Sequence, residues 1–235
     1  MSEWKQKRFW TSASAASRDG GFAVELDGRP VKTPAKAPLV VPTEALASAI
    51  AAEWDAQEEH VDPAHMPFTR MANAAIDKVA VQHAEVAELL AAYGDSDLLC
   101  YRAATPEELI ARQSDAWDPV LDLAAEKLGA RLEPRTGVMH APQEAAALAT
   151  LSARVHSFDN FRLAAFHDLV SMTGSLILGF AAAENWKSAD DIWQLSRLDE
   201  LWQEEQWGED EEARESAAIK CCEFRHAKRF FELLG

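Results

Sequence analysis

The pattern of side chains changes at Pro42, and this change constrains the fold more than any other feature of the sequence. Before it, aromatic and β-branched residues alternate with polar ones, and Asp19-Gly20 and Asp27-Gly28 are typical of tight turns. After it, Thr43 is a predicted helix N-cap, and apolar residues recur at the three-to-four-residue period of amphipathic helices. The sequence therefore predicts an α+β protein in which short antiparallel strands precede the helices.

The predicted organisation has two parts. Residues 1–42 form the β-rich part of an α+β domain, which continues with helices to about residue 130. Residues 142–235 form a C-terminal orthogonal helical bundle, and the intervening stretch is an irregular or extended link. Residues 1–42 carry a net charge of +3 and residues 43–235 carry −19, which supports a boundary after the β-rich part.

The boundaries of two further helices follow from local signals. Thr105-Pro106, with a Glu two residues after the proline, predicts a capping box that opens a helix at this point. Pro119 is predicted to bend or restart this helix, and Gly129 to end it. Ser188 is predicted to cap a further helix that runs to Gly208.

The acidic composition limits the partners. The chain has 39 Asp and Glu against 23 Lys and Arg, a net charge of −16, which repels nucleic-acid phosphates and anionic lipid headgroups. The longest apolar run, Gly174–Ala183, has about half the ~20 residues needed to cross a bilayer. We therefore expect protein partners, no nucleic acid and no membrane insertion.

The sequence contains no complete motif for a cofactor, a metal or catalysis. The spacing from Gly174 to Gly179 is that of a phosphate-binding loop, but Phe and Ala follow where Lys and Ser or Thr are required. A buried helix with small residues for close packing explains it better. His60 and His65 stand among acids at a spacing that matches no zinc pattern, which favours a solvated turn. We predict no cofactor, no metal and no catalytic residues.

A tryptophan-bearing acidic segment, residues 198–213, is the most unusual stretch of the chain. Residues 199–215 contain nine acids and one Arg, so they carry −8, half of the net charge of the chain. One interpretation is a solvated helix face with Leu198 and Trp202 directed inward. The other is a docking surface, because Trp is enriched at the energetic centres of interfaces. A paired-carboxylate active site is a third possibility, and it requires a cleft.

Several strings of the sequence resemble one protein family. They are LDGRPVKTP (26–34), VPTEALASAIAAEWDAQ (41–57), MPFTRMANAAID (66–77), SDLLCYRA (96–103), WDP (117–119) and LDELWQEEQWGEDEEA (198–213). In this order they are similar to the ATP synthase assembly chaperones that bind the α subunit, called assembly factor two in mitochondria. The resemblance implies an N-terminal α+β part, a C-terminal helical bundle, and a chaperone that is not an enzyme.

The resemblance also implies a binding partner and a cellular location. It predicts binding of the free α subunit of the F-type ATP synthase, which prevents aggregation before the α/β hexamer forms. It favours the docking interpretation of the acidic segment, with Trp202, Glu204, Glu205, Trp207 and Asp210 as partner-binding residues. We expect a free monomer in a bacterial cytoplasm, because the similarity begins almost at the first residue; eukaryotic relatives are expected in the mitochondrial matrix.

Two alternatives from other functional classes stay open at this point. A general holdase or scaffold would bind basic or apolar protein clients of many kinds. An enzyme would use carboxylates near Glu204 or Glu205 and would need a cleft that converges on a perturbed carboxylate.

Overall fold

A computed structural model describes residues 7–235, and these residues group into two compact units. The first unit contains residues 7–83, 159–165 and 229–235, and the second contains residues 84–158 and 166–228. Residues 130–141, where the sequence places a boundary, lie within the second unit. Both units draw on distant parts of the chain, which a division into consecutive segments cannot express.

The first unit contains a small antiparallel sheet. Its strands are β1 (Ala13–Arg18), β2 (Gly21–Leu26), β3 (Arg29–Pro30) and β4 (Val40–Val41). Strand β2 pairs with β1 on one side and with both β3 and β4 on the other. Asp27 and Gly28 form the two-residue turn between β2 and β3 with φ of 47° and 78°, and this left-handed backbone favours Gly. The predicted strands and both predicted turns are confirmed for the residues that the structure describes.

Helices α1 (Glu44–Asp55) and α2 (Pro67–Ala74) complete most of the first unit, and a π-helical turn over Ala75–Val79 extends α2. The Oγ1 atom of Thr43 accepts a hydrogen bond from the backbone N–H of Leu46 at 3.2 Å, so the predicted cap of α1 is confirmed. Leu46 and Ile50 of α1 are completely buried, together with Val24 of β2. The alternating and helical patterns of the sequence therefore meet in one core.

The second unit is mainly helical. Its elements are α3 (His83–Ala91), β5 (Tyr101–Arg102), α4 (Glu107–Leu128), β6 (Arg135–Thr136), α5 (Ala145–His156), α7 (Leu176–Ala183), α8 (Ala189–Ser196) and α9 (Leu198–Trp207). Helices α6 (Asn160–Thr173) and α10 (Glu211–Leu233) contribute residues to both units. Short 3₁₀ turns cover Pro63–His65, Ala92–Ser96 and Leu98–Cys100. The predicted α+β class is confirmed.

Helix α4 departs from the prediction at its start and its middle. Pro106, not Thr105, is the N-cap, and no side chain caps the helix, because proline offers no acceptor there. Pro119 does not interrupt the helix, which is continuous over Glu107–Leu128. The ring of Pro119 lies on the exposed side, where water can satisfy the carbonyl group that loses its partner. Gly129 ends the helix with φ of 70°, as predicted.

Two further helix predictions have different outcomes. Ser188 caps α8 through a hydrogen bond from the N–H of Asp191 to its Oγ at 3.1 Å, as predicted. The single helix predicted from Ser188 to Gly208 is wrong, because α8 and α9 are separated at Arg197 (φ −108°). The hydroxyl of Ser196 donates to the carbonyl of Trp193 at 2.8 Å, and this local bond accompanies the end of α8.

Helix α7 contains Gly179, the second glycine of the spacing that resembles a phosphate-binding loop, and Gly174 precedes the helix. Leu176–Ala182 are all buried, and a Cβ atom on Gly179 would lie 2.5 Å from Cγ2 of Val170 on α6. Glycine is therefore required for the close approach of two helices, which confirms the packing interpretation. Among residues 7–235, no helix has both the length and the apolar character that crossing a bilayer requires.

Candidate docking groove

Helix α9 lies on the second unit with few buried side chains. Leu198, at its first turn, is 5% exposed and is its one buried residue. The remaining residues of α9 are half-buried or exposed, so the helix presents most of its surface to solvent. This arrangement gives α9 the character of a surface element whose side chains are available to a partner.

The two tryptophans of α9 have different environments. Trp202 is half-buried, and the guanidinium carbon of Arg112 on α4 lies 5.8 Å from the centre of its ring. Trp207, the last residue of α9, is 79% exposed. The inward orientation predicted for Trp202 is thus partly realised. Trp207 projects into solvent, which is uncommon for so large an apolar side chain.

Two of the three glutamates of α9 are held by arginines. Glu205 receives two hydrogen bonds from the guanidinium of Arg112, at 2.6 and 2.8 Å, and Glu204 receives one from Arg197 at 2.8 Å. The hydrogen bonds from Arg112 hold the pKa of Glu205 below its usual range. A general acid needs the opposite shift, so this carboxylate is poorly suited to the enzymatic role considered for it.

Asp210 has a structural role in the connection between α9 and α10. Its Oδ1 atom accepts a hydrogen bond from the backbone N–H of Ala213 at 2.9 Å, which caps the start of α10. The carboxylate is exposed and lies three residues after Trp207. Asp210 therefore sets where α10 begins.

A groove of about 710 Å³ lies beside α9 within the second unit. Its apolar wall includes Ala103, Ala104 and six larger side chains, Tyr101, Pro106, Leu109, Val138, Trp202 and Trp207. Of the five predicted partner-binding residues, Trp202 and Trp207 line the groove, whereas Glu204, Glu205 and Asp210 do not. The structure thus brings the two aromatic residues to one site and leaves the three acids around it.

A buried glutamine links the two sides of the groove. Gln113 of α4 is 1% exposed; its Oε1 accepts a hydrogen bond from the N–H of Ala103, and its Nε2 donates one to Oδ1 of Asp199, both at 2.8 Å. All three residues line the groove. The loop after β5 and the first turn of α9 are therefore joined through one side chain with both polar ends satisfied.

The opposite rim comes from the link that the sequence describes as irregular. Strands β5 and β6 pair in parallel, and the N–H of Gly137 donates to the carbonyl of Arg102 at 2.8 Å. The next two residues, Val138 and Met139, are 92% and 82% exposed. Exposed apolar side chains that cluster around a groove are typical of protein docking sites.

Sequence reasoning missed most of this groove. Tyr101, Leu109, Val138 and Asp199 line it, and none of them was a predicted site residue. The adjacent apolar pair Val138-Met139, next to a glycine in the link, was the one local signal available. The others come from separate elements whose proximity depends on the tertiary structure.

The histidines considered as metal ligands lie in the first unit. His65 is exposed, and its Nδ1 lies 3.0 Å from Oδ2 of Asp62, the residue that caps the 3₁₀ turn Pro63–His65. In the part of the chain that the structure describes, no three His, Cys, Asp or Glu side chains are grouped so that they could hold a metal ion. An ordinary capped turn accounts for the contacts of His65.

Comparisons with known proteins place the chain in a family. A family model described as "ATP12 chaperone protein" matches residues 7–125. The mitochondrial protein atp12 of Schizosaccharomyces pombe is 29% identical over 222 residues, which cover 89% of this chain and 76% of that protein. Residues 198–213 lie outside the family match, whereas Tyr101, Leu109 and Gln113 of the groove lie inside it.

Solved structures of a bacterial relative agree over the whole fold. The crystal structure of Atp12 from Paracoccus denitrificans has a TM-score of 0.96 and 49% identity, with 99% of this chain and 100% of that chain covered. A point mutant of the same protein has a TM-score of 0.97 and 49% identity, with both chains covered completely. These matches show that the chain belongs to the ATP12 chaperone family, a family of ATP synthase assembly chaperones whose members are named as chaperones and not as enzymes.

Proposed function

We propose that this protein binds the free α subunit of the F-type ATP synthase and prevents its aggregation until the α/β hexamer forms. The proposal rests on membership of the ATP12 chaperone family together with one structural observation. That observation is the exposure of Trp207 beside a groove with largely apolar walls. A subunit that has not met its neighbours exposes apolar surface, and a chaperone must cover that surface while remaining displaceable.

The predicted partner-binding residues then divide into three roles. Trp207 inserts into the partner, and Trp202 forms part of the wall that the partner contacts. Glu204 and Glu205 fix α9 through Arg197 and Arg112, and their charge accelerates encounter with a cationic surface. Asp210 holds the start of α10, so it acts on the partner only through the position of Trp207.

The proposal is tested by measuring light scattering from purified α subunit during dilution out of denaturant. We expect the protein to suppress aggregation of the α subunit at a near-equimolar ratio, and to leave the β subunit and an unrelated aggregating protein unprotected. Equal protection of all three clients would indicate a general holdase. Absence of protection for the α subunit, together with no co-purification from the host, would overturn the proposal.

We also propose that the free protein is monomeric and resides in a bacterial cytoplasm. The identity is 49% to the bacterial chain and 29% to the yeast mitochondrial protein, which supports a bacterial origin. Light scattering after size exclusion should give a mass near the 25.9 kDa of one chain. Cell fractionation should recover the protein with cytoplasmic markers, and recovery with another compartment would contradict the assignment.

A further inference from the structure

We infer that the groove beside α9 binds a short segment of the α subunit in which an Arg or Lys is flanked by apolar residues, and that its cation pairs with Asp199. This inference rests on the proposed function and specifies what the surface recognises. It follows from the charges that line the groove and from the partners of the arginines near α9.

Two charged side chains line the groove, and only one is already neutralised. The guanidinium of Arg102 donates to Oδ1 of Asp118 and to the carbonyl of Leu99, both at 2.7 Å, and lies 5.2 Å from the ring centre of Trp117. The carboxylate of Asp199 accepts a hydrogen bond from the neutral amide of Gln113 at 2.8 Å. Among the described residues, no Lys, Arg or His lies within ion-pair distance of Asp199.

Three arginines near α9 in the sequence or in the structure are engaged by other acids. Arg112 pairs with Glu205, and Arg197 pairs with Glu204. Arg214, the one cation among residues 199–215, lies 3.5 Å from Glu209 and 3.9 Å from Glu211. The groove therefore presents an uncompensated negative charge within a strongly acidic surface, and electrostatic complementarity selects a cationic guest.

The walls of the groove suit the rest of such a guest. The methylene stems of Arg and Lys pack along apolar surface while the charged end reaches a carboxylate. The aromatic rings of Tyr101 and Trp207 offer faces on which a guanidinium can stack, and Leu109 and Val138 offer contacts for neighbouring apolar residues. A charged pair in a partly enclosed groove also gives specificity that exposed apolar contact alone lacks.

The first experiment uses the full chain and overlapping peptides that tile the α subunit. Binding is measured by fluorescence anisotropy for the parent, for Asp199→Asn and for Glu200→Gln. Asparagine keeps an oxygen that can accept the hydrogen bond from Gln113, so the variant removes the charge with little change of shape. Glu200 is the matched control, because it is exposed, adjacent to Asp199 and outside the groove lining.

We expect the peptides that bind most tightly to contain Arg or Lys beside apolar residues. Asp199→Asn should lower their affinity about tenfold to a hundredfold. Glu200→Gln should lower the affinity for the same peptides less than threefold. Replacement of the peptide's arginine by citrulline should lower its affinity for the parent by a similar factor. It should leave the affinity for Asp199→Asn nearly unchanged, because the two changes remove the same contact. Equal losses for Asp199→Asn and Glu200→Gln would overturn the inference, since they would indicate a general field effect.

A second experiment decides the matter if isolated peptides bind too weakly to measure. A photo-reactive phenylalanine derivative at Val138 is cross-linked to the intact α subunit, and the attached segment is identified by mass spectrometry. The inference predicts a segment with Arg or Lys among apolar residues; a segment without a cation would overturn it.

The aggregation assay separates the inference from the proposed function. If the parent and Asp199→Asn protect the α subunit from aggregation equally well, the inference fails while the proposed function stands. If the parent gives no protection, the proposed function fails as well.

Discussion

Helices α7 and α9 of the second unit are both short and both carry large apolar side chains, yet they differ in burial. Seven of the eight residues of α7 are buried, and Gly179 allows it to approach α6 closely. Leu198 is the one buried residue among the ten of α9, and Trp207 stays 79% exposed. The apolar residues of α7 therefore stabilise the fold, whereas those of α9 remain available for binding.

The acids at the two helices follow the same division. Asp97 is completely buried at the start of α7, where it accepts hydrogen bonds from Ser175 Oγ at 2.7 Å and from the N–H of Ile177 at 3.0 Å. Glu204 and Glu205 on α9 pair with arginines nearer the surface. Changes near α7 should thus act on stability and changes on α9 on binding.

The largest effect is expected for Phe180→Ala on α7. Phe180 is 1% exposed, and its ring centre lies 4.8 Å from that of Phe166, so the change leaves a cavity in the core. We expect the free energy of unfolding to fall by about 3–5 kcal/mol in urea titrations. Phe180→Leu retains most of the side-chain volume, so it should lower the free energy of unfolding clearly less. A loss below 1 kcal/mol for Phe180→Ala would contradict the assignment of α7 to the core.

The next largest effect is expected for Trp207→Ala, and it should appear in binding. We expect the complex with the α subunit to be weakened by about 2 kcal/mol or more, chiefly through faster dissociation in surface plasmon resonance. The free energy of unfolding should change by less than about 0.5 kcal/mol, because the side chain is exposed. Ile219→Ala, at another exposed apolar residue, is the control and should leave dissociation unchanged. Parent-like dissociation of folded Trp207→Ala would place the docking surface elsewhere.

A pH-dependent effect is expected from Asp97. Burial raises the pKa of Asp97 to about 6, from 3.8 for an ordinary Asp, so the folded protein holds this proton at a pH where the unfolded chain has lost it. The resulting stabilisation is complete below pH 3.8 and is lost as the pH rises through 6. Asp97→Asn cannot titrate. The free energy of unfolding of the parent, relative to this variant, should therefore fall by about 1 kcal/mol between pH 5 and pH 7.

Chemical denaturation of both proteins at each pH measures this difference. The variant also loses hydrogen-bond geometry at Ser175 and Ile177, but that loss is independent of pH and cancels in the comparison. A difference that stays constant from pH 5 to pH 7 would mean that Asp97 is already ionised in the folded protein throughout this range.

The smallest effect is expected for the charge reversals Glu204→Lys and Glu205→Lys on α9. Each breaks an arginine pair, and the more exposed of the two, Arg112–Glu205, falls in the class of surface pairs that contribute about 0.2–1 kcal/mol to stability. Association with the α subunit should slow several-fold at low salt, and the difference from the parent should shrink as salt is added. Glu212→Lys, an exposed acid on α10, is the matched control. If Glu212→Lys slowed association as much, the effect would come from the net charge of the protein and not from the position of Glu204 and Glu205.

Local chemistry in the sequence determined much of the fold. The turns before Pro42, the caps at Thr43 and Ser188, and the end of α4 at Gly129 all follow from contacts within a few residues. Such signals depend on backbone preferences and on nearby hydrogen bonds, so most of them can be recognised in the sequence itself. The cap predicted at Thr105 failed because Pro106 itself occupies the cap position.

The candidate site depended on the tertiary structure. The sequence indicated Trp202 and Trp207 through their unusual acidic setting, but it could not indicate that Tyr101, Leu109 and Val138 join them. It also could not show that Glu204 and Glu205 are neutralised while Asp199 is not. The composition gives the net charge of a segment. Which acid forms an ion pair depends on the cations that the packing of distant helices brings close to it.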